Sequence, residues 1–140
     1  MKKTAIIFFL MSLTICFAQE AISNSTKKTE AKISSENWLK LIDNKEYAES
    51  WSQAATIFKS TVSQEDWVST ISNLKLQFGK TISRKLLLLN YTTTLPGAPE
   101  GEYVVIQFKT NFELRSNAIE TIVPMKEKDG KWRVSGYFIK

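Results

Sequence analysis

The spacing of apolar residues changes once along this 140-residue chain, at Gly79. Before that glycine they recur every three or four residues, which gathers them on one side of an α-helix. After it they recur every second residue, as in a strand with one buried face. Helices that all precede the strands cannot alternate with them in parallel crossover units, so the chain is predicted to be α+β. The expected architecture is two to three N-terminal helices packed on a curved four-stranded antiparallel meander sheet.

In the helical half, Trp38, Leu41 and Ile42 share one face of a helix expected to begin at Ser34-Ser35-Glu36. Asp43-Asn44-Lys45 interrupts it, because Asp and Asn side chains compete for backbone hydrogen bonds. The stripe resumes with Tyr47, Trp51, Ala54, Ala55 and Phe58. Ser63-Gln64-Glu65-Asp66 reads as a helix start, with Ser63 as cap and the acids at the positive end of the helix dipole. Trp67, Ile71, Leu74 and Phe78 continue the period, and Gly79 supplies a stop with positive φ.

In the second half, residues 81–95 are rich in Leu, Thr and Tyr. Leu86 to Leu89 is apolar on both faces, the pattern of a covered strand. Pro96-Gly97-Ala98-Pro99-Glu100-Gly101 is a connection. Over residues 103–114, Val104, Ile106, Phe108, Thr110 and Phe112 point one way, with Gln107, Lys109 and Asn111 opposite. A third strand is expected from Ile119 to Lys126. Lys128-Asp129-Gly130-Lys131 then makes a tight hairpin, because Asp-Gly takes up the positive φ such turns demand. The last strand should run from Trp132 to Ile139 with a bulge or close backbone approach at Gly136.

Residues 1–18 read as a secretory signal peptide. Lys2-Lys3 precedes an apolar run from Ala5 to Ile15 that is too short for a permanent span. Cys16 and Ala18 are small residues at the positions that specify cleavage between Ala18 and Gln19. The protein is therefore expected to be exported, either periplasmic or secreted, with no transmembrane segment after cleavage. A lipid anchor on Cys16 is disfavoured by the bulky Ile15 before it. Residues 19–32 are polar and lack an apolar period, so a flexible lead is expected there. Residues 33–140 then form a single α+β domain, long enough to bury a core without staples.

Composition narrows the chemistry. The chain has no histidine, and its one cysteine, Cys16, leaves with the leader. Catalytic triads, zinc sites of the usual ligand set and disulfides are thereby excluded from the mature chain, and no cofactor is expected. The net charge of +5 is spread over interleaved acids and bases with no block of one sign. That pattern reads as solvation, and no nucleic-acid partner is expected.

Several phrases resemble a family of small exported bacterial proteins, the domain of unknown function numbered 4019. They are Trp38-Leu39 to Asp43, Tyr47-Ala48-Glu49-Ser50-Trp51, Phe58-Lys59, Trp67, Leu76-Gln77-Phe78-Gly79, Arg84 and Leu95-Pro96-Gly97-Ala98-Pro99-Glu100-Gly101-Glu102-Tyr103. The most specific is Gly130-Lys131-Trp132-Arg133-Val134-Ser135-Gly136-Tyr137-Phe138. The resemblance runs from about Ile33 to the C-terminus and implies export and one compact domain. It transfers no reaction, ligand or catalytic residue. The helix-then-sheet layout is similar to cystatin-like and nuclear transport factor two-like folds, which host many functions.

The candidate contact residues are Trp38, Trp51, Trp67, Arg84, Pro96, Pro99, Tyr103 and Trp132. The tryptophans either line a pocket or fill a small core, and three of them lie on helix stripes, which favours core. The Pro96–Pro99 loop is either a preorganised recognition element or a stiff connection. Arg84, Lys85, Arg115 and Arg133 are candidate anion ligands, but Arg84 and Lys85 are neighbours and should face opposite ways. Arg84 shares its side with Ile82, Leu86 and Leu88, so it should be partly buried and paired with Glu49, Glu113 or Glu120. Glu49, Asp66, Glu113 and Glu120 are the carboxylates available for acid–base work, although nothing in their spacing brings two together. Asn24-Ser25-Thr26 and Asn90-Tyr91-Thr92 match the glycosylation pattern by chance. Three readings follow. The favoured one is a non-catalytic periplasmic or secreted module binding a protein or small ligand. The others are a carboxylate-dependent hydrolase or isomerase with a cavity between helices and sheet, and a self-associating envelope protein.

Overall fold

The structure is a computed structural model that describes the backbone of residues 4–140 and the side chains of residues 19–140. The expected leader, with Cys16 and Ala18, falls outside the described side chains. Four helices precede four strands: α1 (Thr4–Asp43), α2 (Tyr47–Ser52), α3 (Thr56–Thr61), α4 (Gln64–Phe78), β1 (Thr81–Thr92), β2 (Tyr103–Phe112), β3 (Ala118–Lys126) and β4 (Trp132–Ile139). The strands form one antiparallel sheet in the order β1-β2-β3-β4, the expected meander. No helix among the described residues is long and apolar enough to cross a membrane.

The alternation in β2 turns Val104, Ile106, Phe108, Thr110 and Phe112 toward the helices, all of them buried. Ile122, Trp132 and Val134 extend that face, and Trp38, Leu39, Ile42, Phe58, Trp67 and Ile71 cover it from the helices. Local signals act as the sequence implies. The Ser63 hydroxyl accepts the Asp66 amide at 3.1 Å, capping α4. Gly79 ends α4 at φ +75, where a Cβ would come within 2.9 Å of the Glu113 Cβ. Gly130 takes φ +78 in the β3–β4 hairpin, and the register shifts opposite Ser135 and Gly136.

Three expectations are corrected. The stripe from Tyr47 to Phe58 is broken into α2 and α3, because Ala55 turns extended and its N–H bonds to the Val134 carbonyl on β4 at 2.9 Å. The polar lead over residues 19–32 is helical and continuous with α1. There the Thr26 and Thr29 hydroxyls bond to carbonyls four residues back, Ala31 is buried, and Lys27 pairs with Glu102 at 2.7 Å. Tertiary contacts thus anchor a segment whose composition alone favours disorder. Finally, Leu86, Leu87 and Leu88 are 39%, 50% and 41% exposed rather than covered. They lie on the first edge of the sheet, where the register shifts between Leu86 and Leu88.

Trp67 lies in the core with its indole N–H on the Ser50 hydroxyl at 2.9 Å, while Trp51 is half-buried with its N–H on the Val62 carbonyl. Trp67→Ala is expected to cost about 3–5 kcal/mol in urea unfolding, as truncation of buried aromatics does, and Trp51→Ala distinctly less. Equal costs would mean that the two rings are equally buried.

Candidate functional site

One charged cluster penetrates the core between α1 and the sheet. Glu120 on β3 is fully buried, and its carboxylate accepts four hydrogen bonds. Arg84 donates through Nε at 2.6 Å and Nη2 at 3.2 Å, Thr110 through Oγ1 at 2.9 Å, and Tyr137 through its hydroxyl at 2.6 Å. Arg84 also grips Asp43, the last residue of α1, at 2.5 and 2.9 Å. Lys75 from α4 stands 3.9 Å from Asp43. Two cations thus face two carboxylates, and all three guanidinium nitrogens of Arg84 are engaged. This is an ion pair rather than an anion clamp, as expected. Glu120 is the partner among the three acids considered. Asp43, whose sequence signal was that of a helix breaker, is the partner that reasoning missed.

Burial works against the Asp43 charge, but the Arg84 hydrogen bonds and charge hold its carboxyl below the ordinary value. Burial, reinforced by the Glu120 charge beside it, pushes the Tyr137 hydroxyl well above its ordinary value of 10.0. Burial lowers Lys75 despite the opposing pull of Asp43.

Tyr137 links this cluster to a cavity of about 470 Å³. The cavity is walled by Ile57, Phe58 and Thr61 of α3, by Trp67 and Thr70 of α4, by Ser135–Phe138 of β4, and by the loop at Gly97–Ala98 over Tyr103. Among the described residues, no Asp, Glu, Lys or Arg lines it. The surface it offers is aromatic and aliphatic, edged by a few hydroxyls, the chemistry of a site for an apolar group.

The predicted contact residues divide. Trp67 and Tyr103 line the cavity. Trp38 packs on Trp67 and Tyr137 at 5.9 and 5.4 Å between ring centres, supporting the cavity from behind. Trp51 and Arg84 do not line it, and Trp132 is buried beside α1 with its N–H toward Glu30 at 3.2 Å. The loop reaches the cavity through Gly97 and Ala98. Pro96 does not line it, and Pro99 lines a separate groove beside Glu127 while its carbonyl accepts the Tyr103 hydroxyl. The cluster of Arg84, Lys85, Arg115 and Arg133 is not assembled: Lys85 and Arg115 are exposed, and Arg133 binds Glu127 and Asp129. Beside Arg133, the Asp129 carboxyl falls to about 2. Among the acids, Asp66 accepts from Ser63, Glu49 from Gln53 and Glu113 from the Lys80 amide, each apart from Glu120.

A family described as "Protein of unknown function (DUF4019)" matches residues 34–137, which include the ion-pair cluster and the cavity walls apart from Phe138. The chain belongs to that family. No curated protein matches it. The DUF4019 match ends at Tyr137, the residue that the cluster and the cavity share.

Two outcomes check this geometry. Removing the guanidinium by Arg84→Met leaves Glu120 buried without its cation and should cost about 3–5 kcal/mol, part of which Glu120→Leu in the same chain restores. Tyr137 must stay neutral in the folded protein, whereas an unfolded tyrosine loses its proton above pH 10. The stability it contributes is therefore complete below pH 10 and is lost as pH rises beyond it. Unfolding free energy measured from pH 9 to 11.5 should fall with a slope that Tyr137→Phe reduces.

Proposed function

We propose that this DUF4019 protein is an exported, non-catalytic binding module whose ligand places an apolar group in the cavity between α3, α4 and β4. The observation that carries the reading is the cavity itself: about 470 Å³, with no charged group in its described lining. Pockets of this size bury most of a small ligand or an anchoring side chain. Its walls are held from behind by Trp38 and by the Tyr137–Glu120 hydrogen bond, so the site is preorganised and little ordering accompanies binding. The hydrolase reading needs two carboxylates in one cavity, and Glu120, the buried one, is bonded to Arg84, Thr110 and Tyr137 instead. Export rests on the leader pattern of residues 1–18.

Titration with the neutral fluorophore Nile red tests the cavity. Saturable binding at one site per chain is expected, and Thr70→Trp, which fills the cavity from an exposed wall position, should weaken it about tenfold or more while the urea midpoint hardly moves. Affinity unchanged in that variant would place the ligand elsewhere. N-terminal sequencing of the protein recovered from outside the cytoplasm should begin at Gln19; a chain that retains Met1 and stays in the cytoplasm would overturn export.

A further inference from the structure

The cavity touches both faces of one strand. Tyr137 faces the helices, where its ring meets Trp38, while Phe138 lies on the outer face, where its ring lies against Gly136. Side chains alternate along a strand, so a cavity that reaches both must open around the strand's edge. β4 is the last strand of the sheet, and no strand pairs with its outer edge. Lys140 exchanges two backbone hydrogen bonds with Ile119 of β3. By the two-residue alternation of an antiparallel ladder, the main-chain groups of Ile139 and Tyr137 face away from β3, and Tyr137 is the one of the two that lines the cavity. The helical layer already uses the start of this edge twice, through the Ser34 hydroxyl on the Trp132 carbonyl and the Ala55 amide on the Val134 carbonyl. The unpaired stretch continues where those contacts stop.

Charge at the end of this edge indicates what lies along it. Glu120 is the one acid in the four strands, and it points inward. Outside, Lys85 sits opposite Lys109, Lys109 opposite Ile119, and Ile119 is bonded to Lys140. Three exposed cations thus share one row across the sheet, ending at Lys140 just past β4, with no ion-pair partner among the described residues. A segment paired to β4 would lie beside Lys140, the cation of this row nearest that edge, and a carboxylate on it would meet an opposite charge there.

We propose that β4 takes up an extended segment of a partner protein as a fifth strand, with an apolar side chain in the cavity and acidic residues at the Lys140 end. The proposal rests on the reading of the cavity as a binding site and adds to it the class of ligand. Evenly spaced main-chain donors and acceptors are complemented only by another extended backbone, and the cavity selects alternate side chains. A small apolar molecule would leave the edge unpaired.

The probe is the peptide acetyl-Asp-Thr-Val-Thr-Phe-Thr-Val-Asp-amide, added to the full mature chain and followed by amide hydrogen exchange and Nile red displacement. Expected are displacement of the dye, slowed exchange at the Tyr137 and Ile139 amides, and weakening by added salt and by Lys109→Glu with Lys140→Glu. Two N-methylated versions of the peptide, modified on its Thr residues or on its Val and Phe residues, separate strand pairing from cavity filling. One set should lose about tenfold or more in affinity and the other little, because only alternate amides face β4. Equal affinity of the two versions, or dye binding with no peptide binding up to millimolar concentration, would overturn strand addition and leave the cavity reading standing. Failure of both dye and peptide to bind would overturn both readings. Protection of the same amides that rises with protein concentration alone would assign the edge to a second copy and overturn the proposal.

Discussion

Glu120 is the constraint on which the rest of the structure depends. A carboxylate with no exposure to water has to be paired and fully hydrogen-bonded, or it would lose its charge. Its cation comes from β1, at the far edge of the inner face. Arg84 reaches across β2 beside Thr110 to meet Glu120 on β3, and on the way binds Asp43, the last residue of α1. One side chain thus sets where α1 ends over the sheet. Tyr137 donates to the same carboxylate from β4, which holds its ring against Trp38 and Trp67 as the cavity's inner wall. An apolar replacement of comparable volume can match the stability of such a cluster, as buried ion pairs often add little net free energy. It would not orient the tyrosine, and that orientation gives the cavity its shape.

Features set by neighbouring residues were legible in the sequence. The alternation in β2, the Ser63 cap, the stop at Gly79 and the hairpin at Gly130 each follow from a few adjacent residues, and each forms as read. Features set by distant contacts were not. The split between α2 and α3 depends on a hydrogen bond from Ala55 to β4, and the helix through residues 19–32 depends on Lys27 and Glu30 meeting the sheet. The four leucines of β1 carry no mark of whether a helix layer reaches them, and it does not reach Leu86 to Leu88. The cavity was legible only in Trp67 and Tyr103, because Ile57, Thr61, Thr70 and Phe138 meet there through topology alone.

The charge pattern shows why interleaving along a chain differs from mixing in space. Positions two apart on a strand share a face, so the lysine of Arg84-Lys85 and the lysine of Phe108-Lys109 go outward while their neighbours go inward. The other acids occupy the helices and the loops; the strands themselves contain Glu120 alone. A sequence with no block of one sign therefore folds into a sheet whose outer face carries cations and no carboxylate.

The two edges of that sheet are not equivalent. β1 exposes more apolar surface, yet it carries the devices that blunt edge pairing: register shifts between Thr81 and Ser83 and between Leu86 and Leu88, with the charges of Arg84 and Lys85 between them. β4 has its irregularity early, opposite Pro124, and runs regularly from Gly136 to Ile139. A strand laid along β1 would meet two interruptions in its ladder, whereas one laid along the last four residues of β4 would meet none. Apolar exposure alone would point to β1. The continuity of main-chain pairing, together with the cavity beside it, points to β4.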